Sequence, residues 1–291
     1  MKVTPVSDIL GAEVTGINLS QPLNGETLEG LRDAFLRYQV LVIRDQNMSP
    51  LEQVAFSKQF GDLEIPDNVD HTSEDSRNVM ILSNEIREDG TAVGVVDGGD
   101  FWHSDSSHHD VPSMITILQS VTNPEKGGDT EFCNMYAVYD ALPEDLKQKI
   151  DGLYAIHHVS KTVNKRVTIS PSRPGAKDFY ELQAKNRHEV VQPLVLTHPV
   201  TGRKALYCSP RFTIGIKGMD EAEADPILDA LFPYITDRKR SYHYRHKYKT
   251  GDVVMWDNRC LCHRAVGGYA TLRRMHRTVV AGDRSFAKQV A

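Results

Sequence analysis

Cysteine is scarce in this chain: four in 291 residues, Cys133, Cys208, Cys260 and Cys262. So few exclude a disulfide-stapled scaffold and suit a reduced, cytoplasmic setting. Positive charge is not in excess. Lys and Arg total 34 against 39 Asp and Glu, a net charge of −5, and the sequence pI is near 6.2. That balance excludes a general nucleic-acid binder. Long hydrophobic runs are missing: none approaches the roughly 18 residues of a membrane-spanning helix. The first residues, MKVTPVSDILGAEVTG, lack the apolar segment of a secretory signal. Internal repeats and low-complexity tracts are absent too. Neither a nucleic acid nor a membrane is expected as a partner.

What is present is an ordinary globular composition, 40% hydrophobic and 25% charged. Length alone suggests about two domains, but large β-barrels and sandwiches run as one, and a single domain over 1–291 is expected. Leu28, Leu31, Phe35 and Leu36 recur at helical spacing and predict a helix over 24–39. Ser49, Pro50 and Glu52 mark a second helix start with a capping box. Further helices are expected over 135–150, broken by Pro143, and over 220–233. β-branched and apolar runs predict strands over 40–43, 78–84, 114–121, 153–159, 241–246, 252–258 and 274–282. A hairpin over 194–209 turns near Thr201 and Gly202. Residues 85–100 read as a glycine-bearing loop. The pattern predicts a mainly β protein with flanking helices, a sandwich or barrel. Residues 160–192 are polar and lack strong periodicity. Such an insertion is either a lid or binding loop or a solvated surface excursion.

FWHSDSSHH, residues 101–109, holds three histidines and one aspartate. On a strand, positions two apart project from one face, so His103 and Asp105 would converge. A third ligand is needed, and His263, in WDNRCLCHRAV, is the candidate. Two histidines and one carboxylate form the facial triad of non-haem Fe(II), which leaves positions open for substrate and oxygen. A lone His-x-Asp can equally be a surface or hydrogen-bonded pair. Cys260 and Cys262 offer another metal-site reading, since they would share a side on a strand. An oxygen-activating iron needs electrons beyond those its substrate gives. A 2-oxo acid supplies them while chelating the metal, and its far carboxylate then needs a fixed cation, best an arginine. LRRMHRTVV offers Arg273, Arg274 and Arg277. On a strand Arg273 and Arg277 share a face and Arg274 points away. Two inward arginines are costly to bury unless anions meet them. The competing reading is a surface strand of alternating charge.

WHSD is joined by LGAEVTGINLSQPL, FGDLE, KGGDTEF, LTHPVTGRKALY, WDNR followed by His263, and RRMHRTVVAGD, which together span nearly the whole chain. On these stretches the sequence resembles the taurine dioxygenase and 2,4-dichlorophenoxyacetate dioxygenase family of Fe(II)/2-oxoglutarate-dependent oxygenases. The resemblance implies a double-stranded β-helix, or jelly-roll, with iron held by His103, Asp105 and His263. It implies that Thr130 of GGDT hydrogen-bonds the distal carboxylate of 2-oxoglutarate and that Arg273 pairs with it. Arg277 falls near the substrate or co-substrate anion, and Arg274 is the alternative for the role of Arg273. Fe(II), 2-oxoglutarate and O2 are the implied cofactors and co-substrates.

The implied reaction hydroxylates a small, anionic substrate (an aryloxyalkanoate, sulfonate, sulfate ester or related acid) and releases succinate and CO2. The hydroxylated product falls apart where the carbon bears an ether, sulfonate or sulfate. The taurine branch carries a histidine soon after FGDL. Here Glu64, Ile65, Pro66 and Asp67 follow, which argues against taurine itself. His108 and Asn84 are candidate substrate contacts, and His109 is expected at the rim or surface. His157, His158 and His198 are expected to be structural, and Trp102 and Trp256 to serve packing. Two readings from other classes stay open, a zinc hydrolase and a non-catalytic jelly-roll binding protein. A homo-oligomer, dimer or tetramer, is expected.

Overall fold

Side-chain alternation organises the molecule. A computed structural model describes residues 1–283 apart from 68, 97, 98, 160–184 and 186. The strands of the first half are β1 (Lys2–Pro5), β2 (Ala12–Thr15), β3 (Val40–Ile43), β4 (Thr72–Ser73), β5 (Ser76–Ser83), β6 (Ile115–Thr122), β7 (Thr130–Asn134) and β8 (Tyr154–His157). Those of the second half are β9 (Val190–Pro193), β10 (Val195–Thr197), β11 (Lys204–Leu206), β12 (Thr213–Ile216), β13 (His243–His246), β14 (Val253–Asp257), β15 (Leu261–Ala265) and β16 (Arg274–Val280). The helices are α1 (Gly25–Tyr38), α2 (Pro50–Ser57), α3 (Met135–Asp140), α4 (Glu144–Ile150) and α5 (Glu221–Thr236).

One eight-stranded sheet runs β1-β2-β3-β14-β6-β16-β5-β4, and a three-stranded sheet, β13-β7-β15, carries the other side of the site. Val40, Val42, Leu118, Val254, Trp256 and Met275 of the large sheet share a core with Phe132, Cys133, Leu261 and Cys262 of the small one. The intervening Leu41, Ile43, Ile117, Val253, Met255 and Val280 bury against Leu31, Ala34 and Phe35 of α1 and Phe56 of α2. A strand that alternates between two apolar faces must be covered on both. One face meets the second sheet and the other meets helices, which gives the jelly-roll core with flanking helices. β10-β11 and β12-β8-β9 add two smaller sheets.

Local chemistry sets the helix ends. Asn24 accepts from the backbone N–H of Thr27 at 2.8 Å. Ser49 and Glu52 close a capping box at α2, and Asp220 and Glu223 close another at α5. Pro143 separates α3 from α4, as its missing N–H requires. Helix α5 continues past Pro233 to Thr236, because its buried stripe continues through Phe232 and Ile235; packing there overrides the proline signal.

Two expectations change. The last residues of the 160–192 insertion belong to β9, which pairs with β8; the rest of that stretch, apart from Lys185 and residues 187–189, lies outside the described residues. His103 and Asp105 do not lie on a regular strand. His103 makes a single antiparallel bridge with His263, and Asp105 opens a turn in which Ser106 adopts φ 53°.

Candidate active site

Strand pairing across the chain brings the three metal-type ligands together. The His103 N–H donates to the His263 carbonyl at 3.0 Å, and the His263 N–H donates back at 2.7 Å. Residues paired in this way project from one face, and the two rings lie 4.3 Å apart at their centroids. The turn after His103 folds the Asp105 carboxylate back to them. Asp105 Oδ1 is 3.5 Å from His103 Nε2, and Asp105 Oδ2 is 3.8 Å from His263 Nε2. One donor atom from each residue lies within 4.8 Å of the others, and all three residues are buried.

Neighbouring groups fix the protonation of this cluster. His103 Nδ1 lies 2.7 Å from the Phe101 carbonyl. A carbonyl only accepts, so Nδ1 carries the proton and Nε2 turns its lone pair to the site. Asp105 Oδ2 accepts from Thr116 Oγ1 at 2.6 Å. Thr116 Oγ1 accepts from Asn258 Nδ2 at 2.9 Å, and Asn258 Oδ1 accepts from Trp256 Nε1 at 3.0 Å. Trp256, expected to pack, thus also anchors the chain that orients the carboxylate. Burial alone would raise the Asp105 carboxyl, but Arg277, together with the His263 and His103 rings when they carry protons, holds it well below the usual carboxylate range. Burial, then the neighbouring His103, pushes His263 down to about 3. A carboxylate and two imidazoles, of which His103 has its distal nitrogen held by the Phe101 carbonyl, are the donor set that a divalent transition metal takes. His263 Nδ1 is buried without a hydrogen-bond partner. These donors fit Fe(II).

A cation is buried to a similar degree as these residues. Arg273 is buried, 8% exposed, and no described carboxylate lies within ion-pair distance of it. Its Nε donates to the Gly128 carbonyl at 3.3 Å. The guanidinium lies 5.9 Å from the Tyr248 ring and 5.7 Å from the Tyr269 ring. Thr130 Oγ1 is 3.2 Å from the Tyr248 hydroxyl, which burial keeps protonated by raising its pKa. A buried guanidinium, a hydroxyl and a phenol form one polar recess without an anion of their own. Tyr248 escaped the sequence reading, and its only signal was an aromatic a few residues before the WDN stretch. Thr116 escaped it as well.

The other candidates separate clearly. Arg274 leaves the recess and pairs with Glu85 at 3.2 Å. Arg277 places Nη1 3.6 Å from Asp105 Oδ1, and its Nε is buried without a partner. Asn84 uses both ends of its amide on the backbone: Oδ1 accepts from Arg273 N at 2.8 Å and Nδ2 donates to Thr271 O at 3.1 Å. It therefore positions Arg273, with one amide N–H and one oxygen lone pair still uncommitted. His108 packs between His109 and Phe212, and Phe212 packs on His103, so His108 stands one ring away from the metal ligands with Nδ1 unpartnered. His109 faces Asp67 at 3.6 Å. His157 is held by Ser107 at 3.2 Å, and His158 bonds the Arg187 carbonyl at 3.1 Å. His198 donates to Asp257 at 3.1 Å.

His198, Asp257 and Cys260 form a second group of donor type, but Arg259 grips both Asp257 oxygens at 2.8 and 2.7 Å. That carboxylate is committed to a buried ion pair. Cys260 and Cys262 do not converge. Their sulfurs lie near different backbone carbonyls, those of Asp257 and Cys208.

Residues 2–279 match the family described as taurine catabolism dioxygenase TauD, TfdA family. An alpha-ketoglutarate-dependent 2,4-dichlorophenoxyacetate dioxygenase of Cupriavidus pinatubonensis is 34% identical over 89% of this chain and 90% of its own length. An (S)-phenoxypropionate/alpha-ketoglutarate-dioxygenase of Sphingobium herbicidovorans is 32% identical over 97% and 95%. The crystal structure of AAD-2 in complex with Mn(II) and N-oxalylglycine superposes with a TM-score of 0.76 at 31% identity, covering 97% of each chain. With motifs, fold and full-length similarity in agreement, the chain belongs to the TauD, TfdA family of dioxygenases.

Proposed function

We propose that the protein is an Fe(II)- and 2-oxoglutarate-dependent dioxygenase that hydroxylates a small anionic organic acid. The aryloxyalkanoate, sulfonate and sulfate-ester classes, and related acids, are the substrates in view. Relatives named for 2,4-dichlorophenoxyacetate and phenoxypropionate support an anionic substrate. The observation that carries the reading is Arg273, a buried cation without a carboxylate partner among the described residues, set in the same interior as a two-histidine, one-carboxylate cluster. Burying a guanidinium without an anion is unfavourable unless a ligand completes it.

His103, Asp105 and His263 would hold the iron. When bound, Fe(II) with O2 supplies the oxidation that turns 2-oxoglutarate into succinate and CO2 and hydroxylates the substrate. The chain's own residues bind and orient. Arg273 would receive the distal carboxylate of 2-oxoglutarate, and Thr130 and Tyr248, which lie 3.2 Å from each other, would add hydroxyl donors. Asn84 holds the backbone of Arg273. Arg277 holds the anionic head of the substrate near Asp105. Phe212 and His108 wall the space beside His103 and keep water from the reacting centre.

Anaerobic addition of Fe(II) and 2-oxoglutarate tests the reading. A weak visible charge-transfer band is expected in the wild type and is lost in His103→Ala. No band in the wild type would sink the proposal. A screen for succinate release over aryloxyalkanoates, sulfonates, alkyl sulfates and amino acids then ranks the substrate classes.

A further inference from the structure

Strand register places an acid beside Arg277. Leu63 and Val280 form an antiparallel bridge, closed by Glu64 N to Val279 O at 2.9 Å and Ala281 N to Asp62 O at 2.8 Å. Leu63 and Val280 both pack in the outer core against α1 and α2. Neighbouring positions on a strand face opposite ways, so Glu64 and Val279 face the inner side of the sheet. Arg277 lies two residues before Val279 and shares that inner face. The half-buried Glu64 carboxylate accepts one hydrogen bond, from Ser113 Oγ at 2.8 Å. Burial pushes its pKa up, and the Ser113 hydrogen bond and the charges of His109 and Arg277 oppose that rise. No ion pair within bonding distance neutralises it among the described residues.

An anion held by Arg277 therefore lies near a fixed acid. A simple monoanion gains from Arg277 and is repelled by Glu64, and partial burial strengthens both effects. An acid that also carries a hydroxyl, amide N–H or ammonium group next to its anionic head satisfies both residues. We propose that Glu64 and Arg277 work as a pair that selects acids bearing a hydrogen-bond donor beside the anionic head, with Glu64 as the specificity-determining residue. Hydroxy acids and amino acids fit this pair, and among the classes named above the pair ranks aryloxyalkanoates, whose ether oxygen only accepts hydrogen bonds, below related acids that carry a donor. The inference rests on the dioxygenase reading and narrows its substrate class.

Matched acids test it. Calorimetric binding of 3-phenylpropanoate, 3-phenyllactate and phenylalanine, and of a linear alkyl set built the same way, is compared for the wild type, Glu64→Gln and Glu64→Leu, all holding Fe(II) and 2-oxoglutarate without oxygen. A charge-assisted hydrogen bond is worth about tenfold or more in affinity. At least one donor-bearing acid is expected to bind the wild type about tenfold tighter than its plain partner. In both variants that preference falls away and the plain acid binds tighter than it does to the wild type. Glutamine keeps the shape of the side chain, and an unchanged melting midpoint shows that the fold is intact. A wild type without donor preference overturns the proposal, as does a preference that survives in both variants. A visible band with no donor preference leaves the dioxygenase reading standing and removes only the Glu64 assignment. Failure of the band to form removes the reading beneath it.

Discussion

Asn84 touches neither the candidate metal ligands nor any charged side-chain group, yet it fixes where the buried cation sits. Its carbonyl takes the N–H of Arg273 and its amide reaches the Thr271 carbonyl. Asn84→Ala is expected to leave the fold intact and to raise the KM for 2-oxoglutarate by roughly tenfold, since each bond lost is worth about 1 kcal/mol. The value of kcat changes less. Asn84→Asp keeps the acceptor for Arg273 and restores part of the affinity. Steady-state kinetics with varied 2-oxoglutarate reads the split, and equal losses in kcat and KM for all substrates would point to general disorder of the site. Residue types pointed to most of the candidate site: His103, Asp105, His263 and Arg273 belong to chemistry that few other residues can perform. Asn84 and Thr116 were not legible in these roles. Their partners are a backbone amide 189 positions away and a carboxylate that sequence spacing does not bring into view.

Elements that carry apolar periodicity, such as β3 and α1, announce themselves in the sequence. So do β6, β14 and β16, but two strands that build the site, β7 and β15, do not. TEFCN of β7 and LCHRA of β15 are short, and polar site residues interrupt their alternation. Function here overrides local pattern. The same conflict explains why His103 and Asp105 converge through a bridge and a turn and not through a strand. The segment between β6 and β7 carries a further device that only the structure reveals. Gly128 adopts φ +73°, and a Cβ there would lie 2.9 Å from both Cδ and Nε of Arg273. Its glycine is what lets the backbone carbonyl approach that guanidinium. Gly128→Ala therefore combines left-handed backbone strain of about 1 kcal/mol or more with displacement of Arg273. The expected result is a large loss of 2-oxoglutarate affinity with iron binding retained, read by titrating 2-oxoglutarate into the Fe(II) protein anaerobically. If 2-oxoglutarate bound Gly128→Ala as it binds the wild type, Arg273 would not be its anchor.

Across the whole molecule, buried neutral histidines tie stability to pH. His276 of β16 is 7% exposed, and both ring nitrogens are buried without partners. Burial first, then the charge of Arg274, pushes it down to about 4, against a small opposing effect of Asp75. Burial pushes His157, 1% exposed, down to about 3. In the unfolded chain both return to about 6.5. Between that value and the folded ones the unfolded chain binds protons that the folded protein refuses, so stability falls as pH drops from about 6.5 toward 4. Each pKa unit is worth about 1.4 kcal/mol, and the combined loss is on the order of several kcal/mol by pH 4. His276→Leu removes one titrating group and two unsatisfied nitrogens while keeping an apolar side chain in the same space. At pH 7.5 its stability should equal or exceed that of the wild type, because the nitrogens no longer lie buried without partners. Between pH 6.5 and 4.5 its urea midpoint should fall less steeply than that of the wild type. A slope unchanged by the substitution would show that His276 is already protonated, or hydrated, in the folded protein, and would assign acid sensitivity to His157 and the cluster of His103, Asp105 and His263 instead.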